Sequence, residues 1–569
     1  MSGRRDSGLG LGRRHFVIGV LLAGMAALAA RSIDLQILDR DFLREEGDAR
    51  HLRVVKMSAH RGMISDRNGE PLAISTPVDS VWANPGELMQ ARERLPELAR
   101  VLDVPAERLW QTIASRADRE FVYLRRHINP DLGRKVLALG LPGVALQREY
   151  RRFYPLGEVA AHLIGFTNVD DHGQEGLELA WDAWLSGEPG LKRVIRDRLG
   201  RVIDDVEQIR PVQPGHDLRL SIDSRLQYMA YRELKKAVER HHARGGSIVM
   251  LDPRTGEVLA MVNQPSYNPN NRKGLKPAAL RNRAATDVFE PGSTIKPFVV
   301  AAALESGRVP RGLRIDTSPG YYRVSGHLIR DDHNNGRIDL AHILIRSSNV
   351  GASKLAMRLP SEQLWEGLAR VGFGRSTGSG FPGERSGLLN PPERWRKLDK
   401  ATLAFGYGVS VTALQLAQAY SVLAADGVLY PAHFVPGQKL EARRVMKAET
   451  ARTVRNMLRG VVSDEGTARL AAIPGYSVAG KTGTVHKAVA GGYAEDRYFA
   501  IFAGMAPARD PRVVTVVVID EPQGDYYGGK VAAPVFAGVM RAALRLLNVA
   551  PDAPAQLQAV RRAGREHAT

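Results

Sequence analysis

Phe289-Glu290-Pro291-Gly292-Ser293-Thr294-Ile295-Lys296-Pro297-Phe298 runs straight into the apolar stretch Val299 to Leu304. The pattern predicts a helix over Thr294 to Glu305 with Pro297 in its first turn, because a proline deeper in a helix costs about 3 kcal/mol. Ser293 then stands at the N-terminal end, where free backbone N–H groups and the positive end of the helix dipole favour developing negative charge. Lys296 follows three residues later, one turn away on the same face and within reach of the hydroxyl. Such a lysine acts as a base only if burial or neighbouring cations pull its pKa down from about 10.4. Serine-lysine pairing is an established alternative to serine-histidine pairing and needs no histidine.

Alone, the pair is also what a helix cap and a surface lysine would give. Its company decides the matter. This is the only Ser-x-x-Lys in the chain, and Ser347-Ser348-Asn349 and then Lys481-Thr482-Gly483-Thr484 follow it in order. A second Ser-x-Asn occurs at Ser266 to Asn268, so that element is cheap by itself, whereas Lys-Thr-Gly occurs once. Together, in this order and in these settings, the three motifs are not a coincidence of composition.

Around them, Ile248 to Leu251 and Val258 to Val262 read as a hairpin across Asp252-Pro253-Arg254-Thr255-Gly256, and Phe499 to Met505 and Val513 to Ile519 read as buried central strands. Helix signals lie between these pairs at Leu340 to Met357, Ser361 to Val371 and Thr412 to Ala425. The expectation is an α+β domain over 217–549, with one sheet assembled from distant strands and helices on its faces. Gln213-Pro214-Gly215-His216-Asp217 reads as a linker, and 39–212 as a non-catalytic β-rich pedestal with a helical insertion, including the turn Asp66-Arg67-Asn68-Gly69. Residues 550–569 read as a polar disordered tail.

At the start, Phe16 to Ala30 is uncharged and apolar, with Arg4, Arg5, Arg13 and Arg14 before it and Arg31 and Asp34 after it. This predicts a membrane anchor over 16–38 with a cytoplasmic tail over 1–15 and the remainder outside. Ala27-Leu28-Ala29 as a cleavage site, Arg13-Arg14-His15-Phe16 as a twin-arginine signal, and a buried core helix are rival readings of the same segment.

Length and composition set the frame. A chain of 569 residues needs more than one core, and its 44% apolar and 25% charged residues are those of a folded protein. Eighty basic against 61 acidic residues give +19, suited to an anionic polymer or membrane surface. No zinc-finger spacing, RNA-binding signature or recognition helix supports nucleic acid as a partner. The absence of cysteine excludes thiolate catalysis and disulfides.

The three motifs resemble the active site of penicillin-binding proteins and serine β-lactamases, and the whole chain resembles a division-specific, FtsI-type class B penicillin-binding protein. The likeness extends through Arg61-Gly62-Met63-Ile64-Ser65-Asp66-Arg67-Asn68-Gly69, Arg152-Phe153-Tyr154-Pro155, Gly173-Gln174-Glu175-Gly176-Leu177-Glu178, Phe405-Gly406-Tyr407-Gly408 and Tyr526-Tyr527-Gly528-Gly529. The resemblance implies a transpeptidase domain on a pedestal of the dimerisation type, behind one transmembrane helix. It implies that Ser293 attacks a stem peptide ending in D-Ala-D-Ala, with the N–H groups of Ser293 and Thr484 as oxyanion hole. Lys481, Thr482, Gly483 and Thr484 would hold the substrate carboxylate, which β-lactams mimic, and Ser347 and Asn349 would relay protons and orient the peptide. Ser348, Tyr407, Tyr498 and Tyr527 complete the expected substrate contacts, with Phe405 and Tyr526 as further candidates for an aromatic wall. No metal or organic cofactor is needed. The implied partners are a SEDS-type membrane glycosyltransferase and other divisome proteins, at the septal inner membrane with the catalytic domain in the periplasm.

Val485-His486-Lys487 follows the Lys-Thr-Gly-Thr where Ala-Arg is common in the family, and Arg346 stands where lysine is frequent, so ligand preference near His486 stays open, as a pH-sensitive contact or a solvent-facing ring. The competing functional readings are a β-lactamase or β-lactam sensor, an idle divisome scaffold, and an elongation-type relative.

Overall fold

The computed structural model describes residues 8–34, 52–196, 202–438, 440–489 and 491–553. The N-terminal helix runs over Gly8–Ile33, and its segment Arg14–Ile33 is long and apolar enough to cross a membrane. Phe16, Val17, Leu21, Leu22, Met25 and Leu28 are all exposed along it, so it is not the buried core helix of the rival reading. The end of the expected anchor, 35–38, lies outside the described residues, as does the tail from 554 onward.

Beyond the helix the chain divides into two compact units. The first contains Pro77–Arg151 and Gly187–Pro214. Its core joins Val81, Leu95, Leu98, Leu102, Leu109, Ile113, Ile128 and Val136, contributed by the helices Leu95–Leu102, Ala106–Ala114 and Pro130–Ala138 and the strands Pro71–Ala83 and Val122–Ile128. A three-stranded antiparallel sheet of Leu52–Met57, Gly190–Arg196 and Val202–Arg210 accompanies it.

The second unit contains Arg61–Thr76, Arg152–Ser186 and Gly215 onward, so the compact bodies cut across the linear division at 212/217. A buried ion network accounts for this. Glu178 receives Arg61 Nε at 2.8 Å on one oxygen and Arg152 Nε at 2.6 Å on the other, and Arg61 also bonds Asp182 at 2.7 Å. Arg61, Arg152 and Glu178 are all buried. Three of the early family-like sequence blocks thus meet at one carboxylate.

The second unit is built on a five-stranded antiparallel sheet in the order Val258–Gln264, Gly245–Leu251, Val513–Asp520, Gly492–Ala506, Ala479–Val489. Every residue of Val513–Asp520 is buried, as expected of an unbroken apolar run in a central strand. The helices Ser224–Arg240 and Gly528–Leu546 pack on each other and on this sheet, Phe502 meeting Phe536 at 4.7 Å. Side chains alternate along the edge strand Ala479–Val489. Thr484 Oγ1 accepts from the Gly528 N–H, so Thr482 and Thr484 face that helix while Lys481, Gly483 and Val485 face the opposite side. There the helices Ala413–Ala424, buried at every residue, and Ala448–Arg459 cover the sheet together with Lys296–Glu305.

Two expectations change. The single helix over Leu340 to Met357 is two, Leu340–Ile345 and Asn349–Ala356, because Ser348 caps the second by accepting from Gly351 N–H at 2.8 Å. The start of the expected disordered tail is held in place: Asp552 accepts from Ser477 N–H at 2.7 Å and Ala553 N–H donates to Gly475 O.

Replacing Glu178 with alanine leaves two buried arginines without their shared carboxylate, which costs about 3–5 kcal/mol. Thermal unfolding of the purified chain is expected to show a clearly lowered Tm; an unchanged Tm would remove the network from the forces that hold these segments.

Candidate active site

The turn Gly292–Ile295 is 3₁₀ and passes into the α-helix Lys296–Glu305 with Pro297 in its first turn. Ser293 lies in the 3₁₀ turn, half-buried, and its carbonyl receives the Lys296 N–H. The turn rests directly on the edge strand. A Cβ on Gly292 would lie 2.3 Å from Val485 Cγ2, and one on Gly483 would meet Pro291 O and Thr294 Cγ2 at 3.1 Å each. Gly292, which also takes φ +53, is therefore held to glycine by contact and conformation, while at Gly483 a side chain would meet a tight but not forbidding fit.

Lys296 is fully buried, and its amine contacts three oxygens: Ser347 O at 2.5 Å, Asn349 Oδ1 at 2.8 Å and Ser347 Oγ at 3.3 Å. Lys481, also fully buried, reaches the same Ser347 Oγ at 2.9 Å, then Thr482 O at 3.2 Å and Thr482 Oγ1 at 3.3 Å. All of these partners are neutral. Burial pulls the Lys296 pKa down to about 7, against the opposing attraction of the Asp331 and Asp332 carboxylates. Burial, and then the neighbouring Lys296 charge, lower Lys481 well below its ordinary value. Two ammonium groups sharing one hydroxyl cannot both keep their protons in such surroundings.

The structure thus brings Lys296, Ser347, Asn349 and Lys481 into one hydrogen-bonded cluster, with Ser293 one turn before Lys296. The sequence places Lys296 within reach of the Ser293 hydroxyl; among the described residues no hydrogen bond joins the two side chains, and the amine is engaged by Ser347 and Asn349 instead. Ser348, expected against substrate, is buried, and its hydroxyl is committed to Asp331 Oδ2 and to the Gly351 N–H. Thr482 Oγ1 also meets Thr467 Oγ1 at 2.8 Å, and Thr484 stays half-exposed on the edge strand. Among the aromatic candidates, Tyr498, Tyr526 and Tyr527 stack in series at 4.2 and 4.6 Å with His486 against Tyr498 at 4.5 Å, and His486 Nδ1 lies 2.8 Å from Ala494 O. Tyr407 belongs to another group, edge-on to Phe405 and to Tyr493.

Sequence reasoning missed Asp331. Its Oδ1 accepts from Asn349 N–H at 2.6 Å and Val350 N–H at 2.9 Å, at the positive end of the helix Asn349–Ala356. With Ser348 it pins the loop in which Ser347 takes φ +58, a left-handed conformation uncommon outside glycine. Arg330-Asp331-Asp332-His333 carries no periodicity that marks it. Glu290, inside the opening stretch but given no role, is half-buried, and desolvation raises its pKa. One of its oxygens receives Gly408 N–H at 2.8 Å and the Tyr493 hydroxyl at 3.0 Å, and the other has no hydrogen-bond partner among the described residues.

A buried lysine beside a serine turn, facing a second lysine on the edge of an antiparallel sheet, defines a serine acyltransferase of the penicillin-recognising class. Residues 246–541 match the penicillin-binding protein transpeptidase domain and 56–220 the penicillin-binding protein dimerisation domain. The chain is 46% identical over 553 residues to the peptidoglycan D,D-transpeptidase FtsI of Escherichia coli, covering 95% of this chain and 93% of that protein. It is 43% identical to the probable peptidoglycan D,D-transpeptidase PbpC of Pseudomonas aeruginosa, covering 95% and 96%. Among solved structures, a peptidoglycan synthetase from Bifidobacterium adolescentis matches with a TM-score of 0.71 at 26% identity, covering 88% of this chain and 98% of that one. The chain therefore belongs to the penicillin-binding protein family, as a class B D,D-transpeptidase of the FtsI type.

Asp331→Ala is expected to slow acylation by fluorescent penicillin by about a hundredfold, the scale of a small misplacement of catalytic groups. Asp331→Asn, which keeps much of the loop's bonding but loses the charge, is expected to lower the apparent pKa of the acylation profile, because the carboxylate supports the charged form of Lys296. A profile that does not move would show that the charge does not reach the amine.

Proposed function

We propose that this chain cross-links peptidoglycan during septal wall synthesis and that Ser293, Lys296, Ser347, Asn349 and Lys481 carry the reaction. The convergence of two buried lysines on one serine hydroxyl is the observation that carries this reading. A neutral Lys296 donates its two N–H groups to Ser347 O and Asn349 Oδ1, and its lone pair is free for a hydroxyl proton. Once a stem peptide excludes water, that lone pair takes the proton of Ser293 as its oxygen attacks the penultimate D-alanine carbonyl. The backbone N–H groups of Ser293 and Thr484 stabilise the oxyanion, a contribution of about 3–4 kcal/mol per donor. The proton passes through Ser347, which touches both amines, to the departing D-alanine nitrogen. An acceptor amine from a neighbouring strand then displaces Ser293 and completes the cross-link.

Lys481, Thr482, Gly483 and Thr484 hold the terminal carboxylate, and β-lactams enter as its mimics. Tyr407, Tyr498 and Tyr527 border the bound peptide, and Ser348 acts from beneath as a cap. The N-terminal helix anchors the chain in the inner membrane with its arginines on the cytoplasmic side, which sets the catalytic domain in the periplasm. A SEDS-type glycosyltransferase and other divisome proteins are the partners this arrangement serves.

Only neutral Lys296 serves as base, so the fraction competent to acylate rises with pH through about 7 and is lost below it. Penicillin labelling is expected to follow that rise. Ser293→Ala should abolish labelling, and Lys296→Ala should abolish it while leaving Tm close to that of the parent; normal labelling in either variant would overturn the assignment. Persistence of the acyl-enzyme over many minutes separates a transpeptidase from a β-lactamase, which would release the drug in seconds.

A further inference from the structure

Two neighbouring carboxylates border the catalytic cluster, and only one of them is occupied. Asp331 is engaged by Ser348, Asn349 and Val350, whereas Asp332 is exposed and makes no hydrogen bond or ion pair among the described residues. Its place on the loop is fixed from both sides. Before it, the Arg330 carbonyl receives Asn349 Nδ2 at 3.1 Å, and Asp331 N–H donates to Gly320 O at 2.9 Å. After it, Gly336 O receives Thr317 N–H at 2.7 Å and Thr317 Oγ1 at 2.9 Å. Asn349 is the residue whose Oδ1 holds the Lys296 amine, so Asp332 stands two residues along the chain from a direct contact to that amide, at about 3.8 Å per Cα step.

Two groups on separate elements of the site feel the Asp332 charge. Together with Asp331 it supports the charged form of Lys296, against the burial that dominates there. At Tyr527, where the hydrogen bond to Tyr526 acts first, it adds to the influences that keep the hydroxyl protonated. Tyr527 is 48% exposed and stacks on Tyr526 at 4.6 Å. The next residue, Gly528, gives its N–H to Thr484 Oγ1 at 3.0 Å, which sets the two rings beside the edge strand. An unengaged carboxylate therefore stands at the mouth of the site, between the base and a pair of stacked rings.

A carboxylate near aromatic rings suits an ammonium ion. The second half of the reaction brings one, because an aliphatic amine with an ordinary pKa of about 10.4 arrives as a cation at neutral pH. It arrives after the departing D-alanine has taken its carboxylate away from Lys481. The incoming cation then approaches two amines with no substrate anion between them, and an anion at the mouth offsets that repulsion.

We propose that Asp332, with the Tyr526 and Tyr527 rings, binds the ammonium group of the acceptor strand and brings it to the acyl-enzyme at Ser293. The inference rests on the transpeptidase reading and assigns a specificity-determining contact to its second half.

The test uses the full chain in detergent at about pH 8.5, above the Lys296 transition near 7, so that removing the Asp332 charge leaves the base neutral in both proteins. A thioester donor acylates Ser293, and the released thiol reports that step. The acyl group is then captured either by Nα-acetyl-lysinamide, a cation at this pH, or by hydroxylamine, which is uncharged. Asp332→Asn is expected to raise the half-saturating concentration of the lysine acceptor about fivefold, the scale of one exposed ion pair reinforced by an aromatic face. Thiol release and capture by hydroxylamine are expected to stay at the parent rate. Asp332→Glu is expected to keep the parent's preference, and added salt to erase the difference between the parent and Asp332→Asn. An unchanged preference in Asp332→Asn, or an equal slowing of thiol release and of both captures, overturns the acceptor site. A parent chain that releases no thiol and takes no penicillin would instead defeat the transpeptidase reading.

Discussion

Two lysine amines are fully buried within reach of one serine hydroxyl, and among the described residues no carboxylate forms an ion pair with either of them. A charged amine moved out of water costs several kcal/mol even after the protein relaxes, so this arrangement persists only as far as it sheds protons and as the surrounding fold overdetermines it. The fold does so from every side. Tyr420, buried on the fully buried helix Ala413–Ala424, donates to Thr294 O at 2.9 Å and meets Phe298 edge-on at 5.3 Å, fixing both the nucleophile turn and the helix that follows. Asp331 fixes the opposing loop, and the sheet register fixes Lys481.

Close backbone approach is the second requirement. A Cβ on Gly406 would lie 2.2 Å from Gly292 O, and Gly406 and Gly292 take φ +92 and +53. Any side chain at Gly406 would push away the turn that carries Ser293, so the Phe-Gly-Tyr-Gly block acts on the site through an absence of atoms. Its aromatic residues do something else: Phe405 packs beside Val324, Ile329 and Ala401, and Tyr407 faces Tyr493.

What could be read from sequence follows from how local each constraint is. The strands Gly245–Leu251, Val258–Gln264 and Val513–Asp520 and the second half of Gly492–Ala506 were legible because burial on both faces forces unbroken apolar runs, and the helix after Ser293 because proline and an apolar stretch set its start; the first half of Gly492–Ala506, exposed and polar, was not. Lys296, Ser347, Asn349 and Lys481 were legible because each sits in a short motif with fixed spacing. Asp331 was not, because its effect depends on the end of the strand His327–Arg330 meeting a helix start 18 residues away in sequence. The break at Ser347 was hidden by the apolar residues on either side, and Ser348 was misjudged because a capping serine and a substrate-binding serine read identically. The compact bodies cut across a linear division because Arg61, Arg152 and Glu178 converge only in three dimensions.

The same electrostatics link substrate recognition to activation of the base. In the resting site the Asp331 and Asp332 carboxylates support a charge on Lys296 without offsetting its burial, while Lys481 has no anion to hold its proton among the described residues and is disfavoured by a charge on Lys296. A stem-peptide carboxylate arriving at Lys481 would supply that anion and make Lys481 the preferred cation. The charge settled there then opposes protonation of Lys296 through their shared hydroxyl partner, Ser347. Binding of the correct terminus would thus favour the free base beside Ser293, and a peptide without a terminal carboxylate would lack that coupling. On that proposed mechanism, discrimination and activation would follow from a single pair interaction between two buried amines, since screening by water would separate their titrations.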